Sequence, residues 1–252
     1  MNSSKEIIDA LNSRASKKYE EVFIRFFKTG PGEYGEGDRF LGIRVPQIRE
    51  VAKEAQELTL TEIQTLINSP LHEVRECGFF ILVLQFKKLL KKAHQNEKEL
   101  RKILNFYLKN AQRANNWDLV DLSVYNIIGE WLMLPFDSEE KKNEMMDRLA
   151  KSDNLWEQRM SIVATATPIR KSSEFSWIWK YGTIHLSHPH DLMHKAVGWM
   201  LREMGKKSKL DLTAFLELHH HEMHRTTLRY AIERLPEQER RMWLSKNNNI
   251  KQ

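Results

Sequence analysis

HEVRECGFFILVLQF, residues 72–86, decides the fold class. A break precedes it, a basic residue sits in its first turns, and a run of small and apolar residues follows. The same plan recurs in NLWEQRMSIVATATPI (154–169), DLMHKAVGWMLREMG (191–205) and MHRTTLRYAIERL (223–235). Apolar positions repeat at helical spacing, and no stretch alternates with period two for long enough to make a strand. The fold class is therefore all-α.

NNWDLVDLSVYNIIGEWL (115–132) fits the same plan, with Asp121 where the others carry Arg75, Arg159, Lys195 and Arg229. The five positions recur at intervals of 34 to 46 residues, the range of paired-helix repeats such as HEAT units. One such pair cannot bury its own apolar face and must stack on its neighbours. The expectation is a curved solenoid of HEAT-like antiparallel helix pairs, forming one domain over 1–252. Residues 1–45 hold N-terminal helices and a glycine-rich loop, 46–245 the repeats, and 246–252 a polar tail. Basic residues on the concave side would form a stripe suited to a phosphate backbone. The alternative is that each pairs with a local carboxylate.

Helical spacing covers residues 4–28. It resumes over 46–58, 61–67, 73–92, 97–110, 117–134, 138–152, 155–168, 173–186, 192–204, 211–218, 223–234 and 236–245. Four of the ten glycines lie between Gly30 and Gly37, which marks a loop. That loop, GPGEYGEGD, lacks the lysine and Ser/Thr of a phosphate-binding P-loop.

Hydrophobic residues make up 41% of the 252, so the chain is globular rather than disordered. The formal net charge of +6 favours an anionic partner, nucleic acid first. The single cysteine, Cys77, lies in an apolar run and reads as a core residue, and one cysteine makes no internal disulfide. The N-terminus has no apolar signal region, and no apolar run approaches the ~18 residues of a membrane span. The reading is a cytoplasmic monomer with no membrane contact.

Trp117 and Asp121 are four apart and share one face of a helix. Asp118 reads as a first-turn acid complementing the helix dipole. In HHHEMH, His220 and His224 have i,i+4 spacing, but no H-E-x-x-H motif or cysteine supports a metal. The cluster reads as a solvated helix end, and HPH at 188–190 as a turn. No metal and no cofactor are expected.

FFKTGPGEYGEGDRFLGIRVPQIRE, NNWDLVDL, SDNLWEQRMSI and HKAVGWMLREMGKK, in that order, resemble the AlkD-like DNA alkylation repair family of HEAT-like-repeat DNA glycosylases. The resemblance runs from about Phe23 to about Arg234. It implies excision of cationic N3- and N7-alkylated purines from duplex DNA, without full extrusion of the base. It places the catalytic aspartate at Asp121 and active-site tryptophans at Trp117 and Trp199. Its DNA-backbone arginines fall on Arg159 and Arg202, and an N-terminal aromatic on Phe26. Lys195, on the basic slot, and Lys206 and Lys207, after the Trp199 helix, are further candidates for DNA contact. Two positions depart from some relatives: Asn116 replaces a tryptophan, and Phe26 lacks a tyrosine hydroxyl.

The residues suit that chemistry. An alkylpurine cation leaves without protonation, and the sugar becomes oxocarbenium-like. A carboxylate stabilises that charge and helps activate water. Tryptophan faces attract the cation, at about 0.5–2 kcal/mol per contact. The competing reading is a non-catalytic HEAT-like module that binds nucleic acid or protein. A pure phosphate binder, however, gains nothing from a carboxylate in its groove.

Overall fold

The structure is a computed structural model and describes residues 1–246. The expected polar tail, 246–252, lies outside the described residues from 247 onward. Among the described residues every regular element is a helix, and the one extended pairing is an isolated bridge between Arg39 and Leu71. No helix among them is long and apolar enough to cross a membrane.

The chain packs as two compact units, Met1–Ile127 and the residues from Ile128 on. The first holds α1 (Ser4–Asn12), α2 (Lys17–Phe26), α3 (Val45–Glu54), α4 (Leu60–Ile67), α5 (His72–Leu90), α6 (Glu97–Lys109) and the start of α7 (Trp117–Leu132). The second continues with α8 (Glu139–Ala150), α9 (Leu155–Val163), α10 (Ala166–Ser172), α11 (Ser176–Ile184) and α12 (Asp191–Lys207). It ends with α13 (Lys209–His219), α14 (Arg225–Ala231) and α15 (Glu237–Lys246).

Short polar residues set many of the starts. Ser3, Thr59 and Ser208 each accept a first-turn N–H, at 3.2 to 3.3 Å. Asn154 Oδ1 accepts two, from Trp156 and Glu157. Each cap satisfies donors that the helix itself cannot.

One helix anchors each unit. α5 is buried without interruption from His72 to Val83 and packs against α3, α4 and α6. Its apolar residues go all the way round, as a buried helix requires. Cys77 is fully buried there, and burial pushes its thiol up to about 12, so it behaves as a small core residue. In the second unit α12 packs against α9, α10, α11, α13 and α14. The approach of α14 depends on Gly198. A Cβ there would lie 2.5 Å from the Tyr230 Cβ and 2.6 Å from the Thr227 carbonyl oxygen.

Two stretches with continuous helical periodicity are each split into two helices. The 4–28 stretch breaks at 13–16, where the Ser16 N–H turns to the Leu41 carbonyl at 2.8 Å. Gly42 permits this approach. It sits at φ +74°, and a Cβ would fall 2.1 Å from the Ser16 carbonyl oxygen. The 155–168 stretch breaks after Val163, and Pro168 lies in the first turn of α10, where no N–H is needed.

The basic slot is not one exposed stripe. Arg75 is buried, ion-paired to Asp38 and bonded to the Ser69 carbonyl at 3.1 Å. Arg159 is buried too, and Lys195 pairs with Asp191 at 2.6 Å. Arg229 is exposed. Positions equivalent in the repeat therefore serve internal acceptors and local carboxylates as well as solvent.

Candidate active site

The first unit contains a cavity of about 400 Å³ beside the start of α7. Trp117 and Asp121, one turn apart on α7, both line it, with Leu122 and Tyr125 further along the same helix. The opposite wall comes from Phe23, Phe26 and Phe27 at the end of α2 and from Phe40 in the following loop. The rings form a continuous aromatic surface. Phe26 meets the Trp117 ring edge-on at 5.9 Å, and Phe27 stacks on it at 5.6 Å. Phe40 stacks on Phe27 at 5.1 Å. Phe26 is 60% exposed, a large apolar ring left on the surface at the cavity.

Asn116 immediately precedes α7. Its side-chain oxygen accepts the Trp117 N–H at 2.9 Å, and its amide donates to Asp38 at 3.3 Å. Asp118 takes the first-turn place expected of it, with Oδ1 accepting the Leu119 N–H at 2.8 Å. Its other oxygen does something the sequence did not suggest. Asp118 Oδ2 lies 2.8 Å from His72 Nε2, while Asp38 Oδ2 lies 3.0 Å from His72 Nδ1. Burial opposes charge on this imidazole, but Asp118 and Asp38 outweigh it and raise the pKa to about 10. His72 is therefore an imidazolium, stacked on Phe40 at 4.7 Å. Burial likewise pushes Asp38 up, and His72 and Arg75 together overcome it and hold the carboxyl below its usual range.

The glycine-rich loop delivers Asp38 and Phe40 to this place. Glu73, on α5, fixes its far end by accepting the N–H groups of Leu41, Gly42 and Ile43 at 2.8 to 3.1 Å. One helical turn on, Glu76 also lines the cavity and is 3% exposed. Atoms of His72, Glu76 and Asp118 lie within 4.8 Å of one another, a spacing that a metal ion could span. The donor set fits a metal poorly. An imidazolium donates at both nitrogens and offers no lone pair, and both already face carboxylates.

Asp38, His72, Glu73 and Glu76 escaped the sequence reading. Asp38 and Asp118 reach His72 from 34 and 46 residues away, so no local spacing joins them. The HE pair opening a buried apolar helix was the available signal, since such residues are rarely buried unpaired.

The remaining sequence candidates lie in the second unit. Trp199 on α12 is half-buried, with the Arg170 guanidinium 5.8 Å above its ring. Arg202 is ion-paired with Glu233. Lys206 reaches Glu203 at 2.5 Å, and Lys207 is exposed. Arg159 differs from expectation. It is 4% exposed, and Nη1 donates to the Leu192 carbonyl at 2.5 Å, which ties α9 to the start of α12. A side chain so enclosed offers a phosphate little surface. A separate concavity of about 540 Å³, lined by Arg225, Arg229 and Arg240 beside Tyr230 and Glu233, carries exposed guanidinium groups instead.

The HHHEMH segment starts at the end of α13, with His221, Glu222 and His224 exposed as expected of a solvated helix end, while its rings also make contacts. His219 packs on Phe215 at 4.8 Å, His220 meets the Trp243 ring at 5.6 Å, and His224 stacks on His194 at 4.0 Å. His188–His190, expected as a turn, is irregular chain with a bend at Pro189, following the turn at 185–187, and His190 caps α12 by accepting the Leu192 N–H.

No curated protein matches the chain. Among solved structures, a predicted DNA alkylation repair enzyme from Enterococcus faecalis superposes with a TM-score of 0.65. The match is 15% identical and covers 89% of this chain and 98% of that one, which makes it evidence of a common fold. The family model described as DNA alkylation repair enzyme matches residues 7–235, a span that takes in the cavity on α7 and all of α12. By that match, this chain belongs to the DNA alkylation repair enzyme family.

Proposed function

We propose that the protein is a monofunctional DNA glycosylase that excises cationic N3- or N7-alkylated purines from duplex DNA. The observation that carries this reading is the cavity shared by Asp121, Trp117 and Phe26, a carboxylate set among aromatic faces in a chain of net charge +6. Phosphate binding explains the excess base. It does not explain an acid at an aromatic opening, whereas a reaction that creates positive charge does.

The alkylated base already carries the charge that makes it a leaving group. The C1′–N bond breaks, its electron pair goes to the purine, and the sugar becomes electron-poor. Asp121 stabilises that cation electrostatically and accepts a proton from the water whose oxygen bonds to C1′. The aromatic rings favour the same charge. No general acid is needed, unlike ordinary glycoside hydrolysis. Phosphate contacts are assigned to Arg202, Lys195, Lys206 and Lys207, and a ring contact with the DNA to Trp199. Where these cations already face Glu233, Asp191 or Glu203, a phosphate must compete with the carboxylate.

Product analysis tests the reading. Incubated with a duplex containing one N7-methylguanine, the protein should release the free modified base and leave an alkali-labile abasic site. No release from any N3- or N7-alkylpurine duplex would leave a binding module.

A further inference from the structure

The second unit carries a concavity of about 540 Å³, lined from α14 and α15, that no step of the proposed reaction uses. Arg225 and Arg229 are four apart on α14 and share one helical face. Arg240, on α15, lines the same hollow. All three are exposed, and Arg225 Nη1 donates to the Leu244 carbonyl of α15 at 3.5 Å. The half-buried Thr226 and Tyr230 add hydroxyls to the lining.

Cations close by in the sequence are arranged differently. Lys209 faces Glu239 at 2.6 Å, Lys246 faces Glu217 at 3.1 Å, and Arg241 is ion-paired with Glu237. Among the described residues, the side chains of Arg229 and Arg240 make no ion pair or hydrogen bond. The acid on the lining, Glu233, is engaged by Arg202 and Arg234. Three guanidinium groups thus converge on one hollow. Like charges set this way repel one another until an anion sits among them. The planar guanidinium fork matches phosphate oxygens and never loses its charge.

We propose that this hollow docks internal phosphodiesters of DNA, and that Arg225, Arg229 and Arg240 hold them. The site rests on the glycosylase reading for its partner alone, since it needs no lesion and no excision. It lies on other helices than the contacts assigned to Arg202, Lys195, Lys206 and Lys207, all of α12. Phosphate contacts fix position and affinity and carry no base information. The role of the hollow is therefore to hold undamaged duplex, the DNA in which a lesion has to be found.

The test uses an undamaged duplex without terminal phosphates. Its binding to the full-length protein is followed by fluorescence anisotropy over a range of salt concentrations. Each phosphate contact contributes about 0.9 to the slope of log K against log salt. The triple variant Arg225→Gln, Arg229→Gln, Arg240→Gln should flatten that slope by about 2 to 3 and weaken binding at least about tenfold at about 0.1 M salt. Arg229→Gln alone should flatten it by about 1. A charge-matched control, Lys209→Gln, Arg241→Gln, Lys246→Gln, removes as much charge from cations that face carboxylates. It should stay within about threefold of the wild type. All six positions are exposed, so the variants should fold as the wild type does. An unchanged slope in the triple variant would overturn the proposal. So would an equal loss in the control, which would mark a diffuse field instead of a site. Binding of poly-glutamate that falls in the triple variant while duplex binding holds would replace the DNA with an acidic protein partner. If the protein releases no alkylpurine yet its triple variant loses the duplex, the glycosylase reading falls and the docking site stands. Excision by a protein whose triple variant binds duplex like the wild type would sink the docking site alone.

Discussion

His72 shows how much a single side chain holds at this site. Its imidazolium joins Asp38 from the glycine-rich loop to Asp118 at the start of α7, and its ring carries Phe40. Removing it leaves two nearby carboxylates without their shared cation. Breaking a buried ionic network of this kind costs about 3–5 kcal/mol. His72→Gln should therefore lower the unfolding free energy by about that amount in urea titrations, and a loss below ~1 kcal/mol would show that the network is not structural. The pH dependence has a definite sign. A raised histidine pKa contributes stability that is full below the unfolded value of 6.5 and fades as pH climbs toward about 10. The depressed Asp38 carboxyl contributes stability above its ordinary value of 3.8 and loses it as pH falls through the lower folded value. The deficit of the variant should thus be largest between about pH 4 and 6.5 and shrink on the alkaline side. At this scale half of the site was legible in the sequence. Trp117 and Asp121 are one helical turn apart, and that spacing alone puts them on one face. His72 and Glu76 are likewise one turn apart on α5, but nothing local tells that their face meets Asp38, which a loop between α2 and α3 carries to His72, and no periodicity encodes where a loop ends.

Helix positions followed from hydrophobic spacing because each buried face repeats every three or four residues. The breaks at 13–16 and after Val163 did not. Both lie inside apolar-periodic runs, and both are set by contacts distant in sequence or by a turn that local preference permits but does not demand. Gly198 makes the same point from the packing side. Read as a local choice, glycine inside α12 costs about 1 kcal/mol relative to alanine. The structure explains it by the nearness of α14, where a methyl group would meet Tyr230 and Thr227 at 2.5 to 2.6 Å. Gly198→Ala should therefore destabilise the protein by about 1–3 kcal/mol, since α12 and α14 must part to admit the methyl. A variant as stable as the wild type in chemical denaturation would mean that the two helices do not need this closeness.

On the scale of the molecule, charge and chemistry separate. The net charge of +6 announced an anionic partner but not where that partner sits, because the repeated basic slot serves several ends. Arg75 and Arg159 are spent inside the protein, Lys195 faces a local aspartate, and exposed guanidinium groups gather at Arg225, Arg229 and Arg240 instead. Repeat position fixes where a residue lies along its helix. It does not fix whether the neighbouring loop covers it. Membership of the DNA alkylation repair enzyme family makes DNA the partner that suits the charge, and the proposed function gives the acid in the cavity on α7 its task. The account therefore stands on Asp121. Its most direct test is single-turnover excision of N7-methylguanine by the wild type and by Asp121→Asn, with duplex affinity measured beside it. The variant should bind the duplex within about threefold of the wild type and release the base roughly 10²–10³-fold more slowly, the loss expected when one electrostatic stabiliser of a charged transition state is removed. Equal rates in the two proteins would contradict the account.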